Sequence, residues 1–248
     1  MPKVPSGTRV SGTGVPNLRR NTILAALPES LWMAWEPQLE LIDFEVGTVV
    51  FEVGAPLHYV WFPLECAIAV MQTLADGACS QIAVVGREGL VGAPVFLGAA
   101  VAPTRAIVQS PGLAARIAPH LVVAEFARGD LVMRLLLRHT QAVIAQMGQI
   151  AACNRHHSPE QQFCRWLLMA LDRVDGSELH VTQEFIASML GVRRETINEV
   201  ARKLQARGIL QGRRGSLEVL DRRALERCTC ECYFAVMREY ARLFPQQP

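Results

Sequence analysis

The chain has 248 residues, half of them hydrophobic, and a formal net charge of +2. That length and apolar content allow two domains, each with its own core; the near-balanced charge does not by itself point to nucleic acid. No apolar run reaches the roughly 18 residues that a membrane-spanning helix needs, and seven cysteines without disulfide-like spacing fit a reducing compartment. A cytoplasmic protein with no membrane partner is expected.

In chain order, residues 1–20 carry Pro2, Pro5, Gly7, Gly12, Gly14 and Pro16 and read as a flexible tail without the apolar segment of a signal peptide. Residues 21–42 show helical spacing (Ile23, Leu24, Leu27, Leu31, Trp32, Trp35, Leu39, Leu41), interrupted by Pro28 and Pro37. From Phe44 the period shortens. Thr48–Phe51, Tyr59–Phe62, Ala67–Thr73, Ser80–Val85, Arg105–Gln109 and Leu113–Ile117 read as short strands separated by turn residues. Asp76-Gly77 between two of them is a hairpin signal. Such a pattern predicts a small antiparallel barrel or roll over 21–120.

Residues 121–152 return to helix, with Val132, Leu136, His139, Val143, Met147 and Ile150 on a near-heptad seam. That seam predicts a dimerisation helix, with packing of the helix on its own domain as the alternative. Asn154–Pro159 reads as a polar break, and 160–174 as a further amphipathic helix (Phe163, Trp166, Leu167, Ala170, Leu171) that opens a C-terminal domain over 155–248.

Residues 182–203, TQEFIASMLGVRRETINEVARK, carry the most information. Thr182 is a good N-cap, with Gln183 and Glu184 near the positive helix end. Phe185, Ile186, Met189 and Leu190 form an inward stripe, and Gly191 permits the left-handed conformation that stops the helix. A second helix follows, with Ile197, Val200, Ala201 and Leu204 inward. Arg193, Arg194, Glu195, Asn198, Glu199, Arg202 and Lys203 face outward. This is the layout of a helix-turn-helix whose second helix enters a major groove. Ile209–Gln211 and Leu217–Leu220 then read as strands joined by Arg213-Arg214-Gly215-Ser216, a wing whose arginines suit phosphate. From Leu179 to Arg227 there are ten basic and six acidic residues, a local excess of four and a modest footprint for DNA.

VTQEFIASMLGVRRETINEVARKLQARGIL closely resembles the DNA-binding domain of CRP/FNR-type bacterial transcription regulators. The glycine spacing in GTVVFEVGAPLHYVWF and VGREGLVGAPVFLG resembles, more loosely, the cyclic-nucleotide-binding roll of the same family. The resemblance implies an α+β protein: an N-terminal antiparallel, jelly-roll-like β-roll, a long dimerisation helix and a C-terminal winged helix-turn-helix. It implies Arg194 and Glu195 as base readers and Thr182 and Thr196 as phosphate contacts. Arg193 would touch the backbone, and Glu199 stands where well-known members place a second base-reading Arg. Double-stranded DNA, a second copy of the chain and RNA polymerase are the implied partners.

Cyclic-nucleotide binders of this fold hold the ribose with a Gly-Glu pair and the phosphate with an Arg-Ser/Thr-Ala triplet. Here Ala93 follows Gly92, and the later stretch reads Pro103-Thr104-Arg105-Ala106. Sliding one residue along a strand turns a side chain to the other face, so a conventional cyclic AMP receptor is disfavoured and no cofactor is expected. Arg87, Glu88, Gly92, Thr104 and Arg105 are the polar candidates for an effector pocket, an atypical nucleotide among the alternatives. Cys228, Cys230 and Cys232 could serve a metal or redox sensor, though a fourth ligand is not evident and His156-His157 beside Cys153 reads as a polar turn. Without a P-loop, nucleophile elbow, HExxH or post-strand GxGxxG, no catalysis is expected.

Overall fold

The structure is a computed structural model that describes residues 8–9 and 17–244. It divides into two compact units, Met1–Val70 with Val85–Gln141, and Met71–Val84 with Ala142–Pro248.

In the N-terminal unit, β1 (Thr8–Arg9) pairs antiparallel with β2 (Glu40–Phe44). Leu18–Arg20 form a 3-10 turn with Leu18 buried; of the expected flexible tail, residues 1–7 and 10–16 lie outside the described residues. Asn21 caps α1 (Thr22–Ala25) by accepting from the Ile23 and Leu24 N–H groups, and donates through Nδ2 to the Pro63 and Gly89 carbonyls. α2 (Glu29–Trp35) and a 3-10 turn (Glu36–Gln38) follow. The helical reading of 21–42 fails at its end. Pro37 permits a helix start but not its continuation; Leu39 ends the 3-10 turn and Leu41 lies in β2.

The remaining strands are β3 (Val49–Phe51), β4 (Val60–Pro63), β5 (Ala67–Thr73), β6 (Cys79–Val85), β7 (Arg105–Ser110) and β8 (Gly112–Ile117). They form two sheets, ordered β1-β2-β8-β4 and β3-β7-β5-β6. In the first, Glu40 stands opposite Arg116 and accepts from its guanidinium at 2.7 Å. Trp32, Trp35, Phe62, Ile117, Val122 and Leu136 belong to one buried cluster on that sheet. The single helix expected over 121–152 is two helices, α3 (Pro119–Ala127) and α4 (Leu131–His156). They are separated at Gly129, whose φ of +77° suits glycine.

The C-terminal unit contains the tip of the β5–β6 hairpin, closed at Asp76-Gly77 by the Asp76 carboxylate on the Ala78 N–H. In it Gln146 of α4 brackets Val84, accepting from its N–H and donating to its carbonyl. α5 (Pro159–Leu171) opens with a capping box between Ser158 and Gln161. Ten of its 13 residues, Gln162 to Leu171, are buried, so the expected amphipathic helix is a central one. Its Trp166 donates to Gln81 at 2.7 Å. Then come β9 (Glu178–Leu179), α6 (Gln183–Leu190), α7 (Arg194–Ala206), β10 (Leu210–Arg213), β11 (Ser216–Val219), α8 (Arg222–Cys228) and α9 (Glu231–Leu243). Strands β10, β11 and β9 make a small antiparallel sheet in that order; β9 carries too little sequence pattern to be foreseen.

Candidate nucleic-acid interface

The helix-turn-helix is built by local chemistry. Thr182 Oγ1 accepts from the Phe185 N–H at 3.1 Å and caps α6. Its own O–H remains available as a donor. Gly191, at φ +65°, takes the left-handed conformation that ends α6. Ile197, Val200, Ala201 and Leu204 are buried and seat α7 against the unit. That leaves Arg193, Arg194, Glu195, Glu199, Arg202 and Lys203 exposed along one continuous face.

Arg193 is the N-cap residue of α7, and its side chain does not cap the first-turn N–H groups. These groups add a positive end to a basic surface. Lys203 and Glu199, one turn apart, form an ion pair at 2.7 Å. The hydrogen bond from Lys203 holds the Glu199 carboxyl below its usual range and raises the Lys203 ammonium. Asn198 is half-buried with its Oδ1 turned inward, so only its amide end remains for a partner. Thr196 is half-buried at the start of the same helix.

The wing closes more tightly than the sequence suggested. Arg213 pairs with Ser216 in the register, leaving Arg214-Gly215 as a two-residue turn, with Gly215 at φ +81°. Arg213 lies 3.6 Å from Glu218. Thr182, Gln183, Arg194 and Arg213 line one groove of about 340 Å³ between the start of α6, the start of α7 and the wing. Residues 31 positions apart in sequence, from the cap to the wing, thus share one concave, largely polar surface.

The other candidate residues are placed differently. Glu88 accepts from the Gly86 N–H at 3.1 Å, closing its own turn. Arg105 Nε lies 3.2 Å from Glu52 Oε1, so Glu52 offsets the charge that Arg105 would offer a phosphate. Gly92 is at φ +113°, its missing Cβ 3.2 Å from the Tyr59 carbonyl oxygen. Thr104 and Arg87 are half-buried. On α4 the expected dimer seam points inward: Val132, Leu136, His139 and Ile150 are buried within the single chain, and Val143 and Met147 are half-buried. Among the terminal cysteines, Cys228 turns away, its thiol on the Ala224 carbonyl with Arg207 donating to the sulfur. Cys230 and Cys232 meet Cys153 and His157 instead; the reading of the His156-His157 stretch as a mere polar turn missed this, because its partners lie far away in sequence.

A surface-exposed, Arg-led helix beside a basic wing defines a winged helix-turn-helix of the kind that reads duplex DNA. Residues 161–228 match the family model described as the Crp-like helix-turn-helix domain. The whole fold is similar to that of a CRP/FNR-family transcriptional regulator from Eubacterium rectale, at TM-score 0.66 and 14% identity over 85% of this chain and 98% of that one. A CRP-family regulator from Thermus thermophilus is similar at TM-score 0.61 and 20% identity, covering 75% and 94%. FixK2 from Bradyrhizobium japonicum gives 0.62 and 15%, covering 77% and 98%. No curated protein sequence matches the chain. Residues 161–228 thus form a Crp-like helix-turn-helix domain, and the fold around it is the one that CRP/FNR-family regulators adopt. No helix among the described residues is long and apolar enough to cross a membrane.

Proposed function

We propose that the protein acts as a cytoplasmic homodimer that binds a palindromic operator and regulates transcription, with α7 of each copy in the major groove. The observation that carries this reading is the exposed Arg194-Glu195 start of α7 beside a groove shared with Thr182, Gln183 and Arg213. Arg194 reads guanine bidentately and Glu195 accepts from cytosine N4. Thr182, Gln183, Arg193, Thr196, Lys203, Arg213 and Arg214 hold phosphates and set the register. The second copy and RNA polymerase are its protein partners, and no catalytic step is assigned to it.

Dimerisation uses a face of α4 that shares only Met147 with the seam the sequence suggested. Met133, Leu137, Thr140, Ile144, Met147 and Ala151 alternate by four and three residues, and Leu137, Ile144 and Ala151 are exposed. This is a heptad seam, and it presents two large aliphatic side chains to solvent. Selection of bound sequences from a random duplex pool, followed by anisotropy titration, tests the reading. Arg194→Ala with Glu195→Ala should lose about 1–3 kcal/mol of discrimination for each reader and leave non-specific binding nearly intact. Full retention of sequence preference in the double variant would refute it.

A further inference from the structure

Four soft or borderline ligand groups converge in the C-terminal unit, outside the DNA-facing surface. The ligand atoms of Cys153, His157, Cys230 and Cys232 all lie within 4.8 Å of one another. Cys153 Sγ is 3.5 Å from Cys230 Sγ, and Cys232 Sγ is 3.4 Å from His157 Nδ1. Zinc–sulfur bonds of about 2.3 Å at tetrahedral angles separate two sulfurs by about 3.8 Å, and a sulfur from a nitrogen by slightly less. The four groups are therefore spaced for one ion. An iron–sulfur cluster spreads its thiolates over several irons and bridging sulfides, which this compact set does not accommodate.

The surroundings are those of a metal centre. His157 turns Nδ1 to the thiols, and its Nε2 lies 3.3 Å from Glu231 Oε2. That is the carboxylate–histidine arrangement that fixes the tautomer and orientation of a ligating imidazole. Gln149 Nε2 donates to Cys232 Sγ at 3.1 Å, and Arg165 Nε to Cys153 Sγ at 3.2 Å. Arg165 is 2% exposed. Its remaining contacts are Asn154 Oδ1 and Met169 Sδ, and among the described residues no carboxylate pairs with it. A buried guanidinium without a counter-charge is costly. Three thiolates and a dication carry one net negative charge, which supplies it.

We propose that Cys153, His157, Cys230 and Cys232 form a closed tetrahedral site for a single zinc ion. The ion joins the last turn of α4 to the first turn of α9. On binding, each of the three thiols gives its proton to solvent and the imidazole binds through neutral Nδ1. All four positions are filled by protein, so the site is structural in kind, and its thiolates make it open to oxidants. The assignment does not depend on the DNA-reading proposal.

The test is cobalt titration of the full-length protein under reducing, oxygen-free conditions, with zinc as competitor. Expected are one cobalt per chain, strong thiolate-to-cobalt charge transfer with tetrahedral visible bands, and displacement by one equivalent of zinc. Cys228→Ser keeps stoichiometry and spectrum. Glu231→Gln keeps the spectrum and weakens affinity about 10–100-fold. His157→Ala, at a half-buried position, keeps three thiolate ligands and shifts the visible bands; this readout separates lost ligation from lost folding. A wild-type chain that takes up no stoichiometric metal overturns the assignment. So does loss of metal in Cys228→Ser with retention in His157→Ala, or a Cys153–Cys230 disulfide that persists in the presence of reductant and zinc.

Discussion

Lys203 Nζ lies 2.7 Å from Glu199 Oε1, one turn along the recognition helix. The pair cancels a negative charge in the middle of the surface proposed to face DNA. It also uses the only lysine besides Lys3 in the chain. Replacing Glu199 with Arg frees Lys203 and adds a base-reading group. Binding should tighten on all duplexes, the slope of log affinity against log salt should steepen by about 1–2, and the selected operator should gain a guanine at the facing step. Unchanged slope and unchanged operator would place this side chain off the DNA.

The wing behaves in the opposite way. Arg213→Ala with Arg214→Ala removes two cations that the proposed reading sets on phosphate and not on bases, so affinity should fall nearly equally on cognate and scrambled duplexes. The salt slope should shrink by about 2. Anisotropy at several ionic strengths separates this from the sequence-selective loss expected at Arg194 and Glu195.

Light scattering distinguishes the two faces of α4. Ile144→Glu puts a charge on the exposed seam and should yield a folded monomer with weak operator binding. Leu136→Ala, at a residue 1% exposed, should cost about 2–5 kcal/mol of stability by opening a cavity without adding a charge to the dimer face. A dimer that survives Ile144→Glu would exclude this seam.

His139 fills a space that only glycine leaves open. A Cβ at Gly89 would stand 2.5 Å from His139 Nδ1 and closer still to its neighbouring ring carbon, and the imidazole Nε2 meets the Leu90 carbonyl at 2.8 Å. Burial lowers the His139 pKa from its ordinary 6.5. Below about pH 6.5 the unfolded chain takes up a proton that the folded one resists, so stability is complete above that pH and falls as the pH drops through it. Denaturant titrations should show this loss, reduced in His139→Gln. Gly89→Ala should destabilise by about 1–3 kcal/mol through overpacking.

The readable parts of the sequence are those set by near neighbours. Thr182 and Gly191 cap one helix within ten residues, and Asp76-Gly77 closes its hairpin within four, so the chain announces both. The face of α4 is different. Leu135, Leu136 and Leu137 are consecutive, so apolar spacing supports several seams, and only the packing of Leu136 and His139 inside the chain selects one. Two members of the thiol–imidazole cluster were hidden by distance, since Cys153 stands 77 residues from Cys230 and His157 75 from Cys232. Cys228, a near neighbour with the same chemistry, fits the local cysteine spacing that Cys153 does not.

The burial of α5 limits how portable the DNA reader is. The matched family segment, residues 161–228, contains the recognition helix and wing but omits Gln81, the acceptor for Trp166. It also omits Cys153, beside Arg165, and Tyr233, whose hydroxyl donates to Asp172 at 2.9 Å. A fragment cut at those boundaries would bare the indole of Trp166, a guanidinium and much of an apolar helix at once. It should express as an aggregating chain, and grafting this reader onto another sensor would require carrying the β5–β6 tip, the end of α4 and α9 along with it.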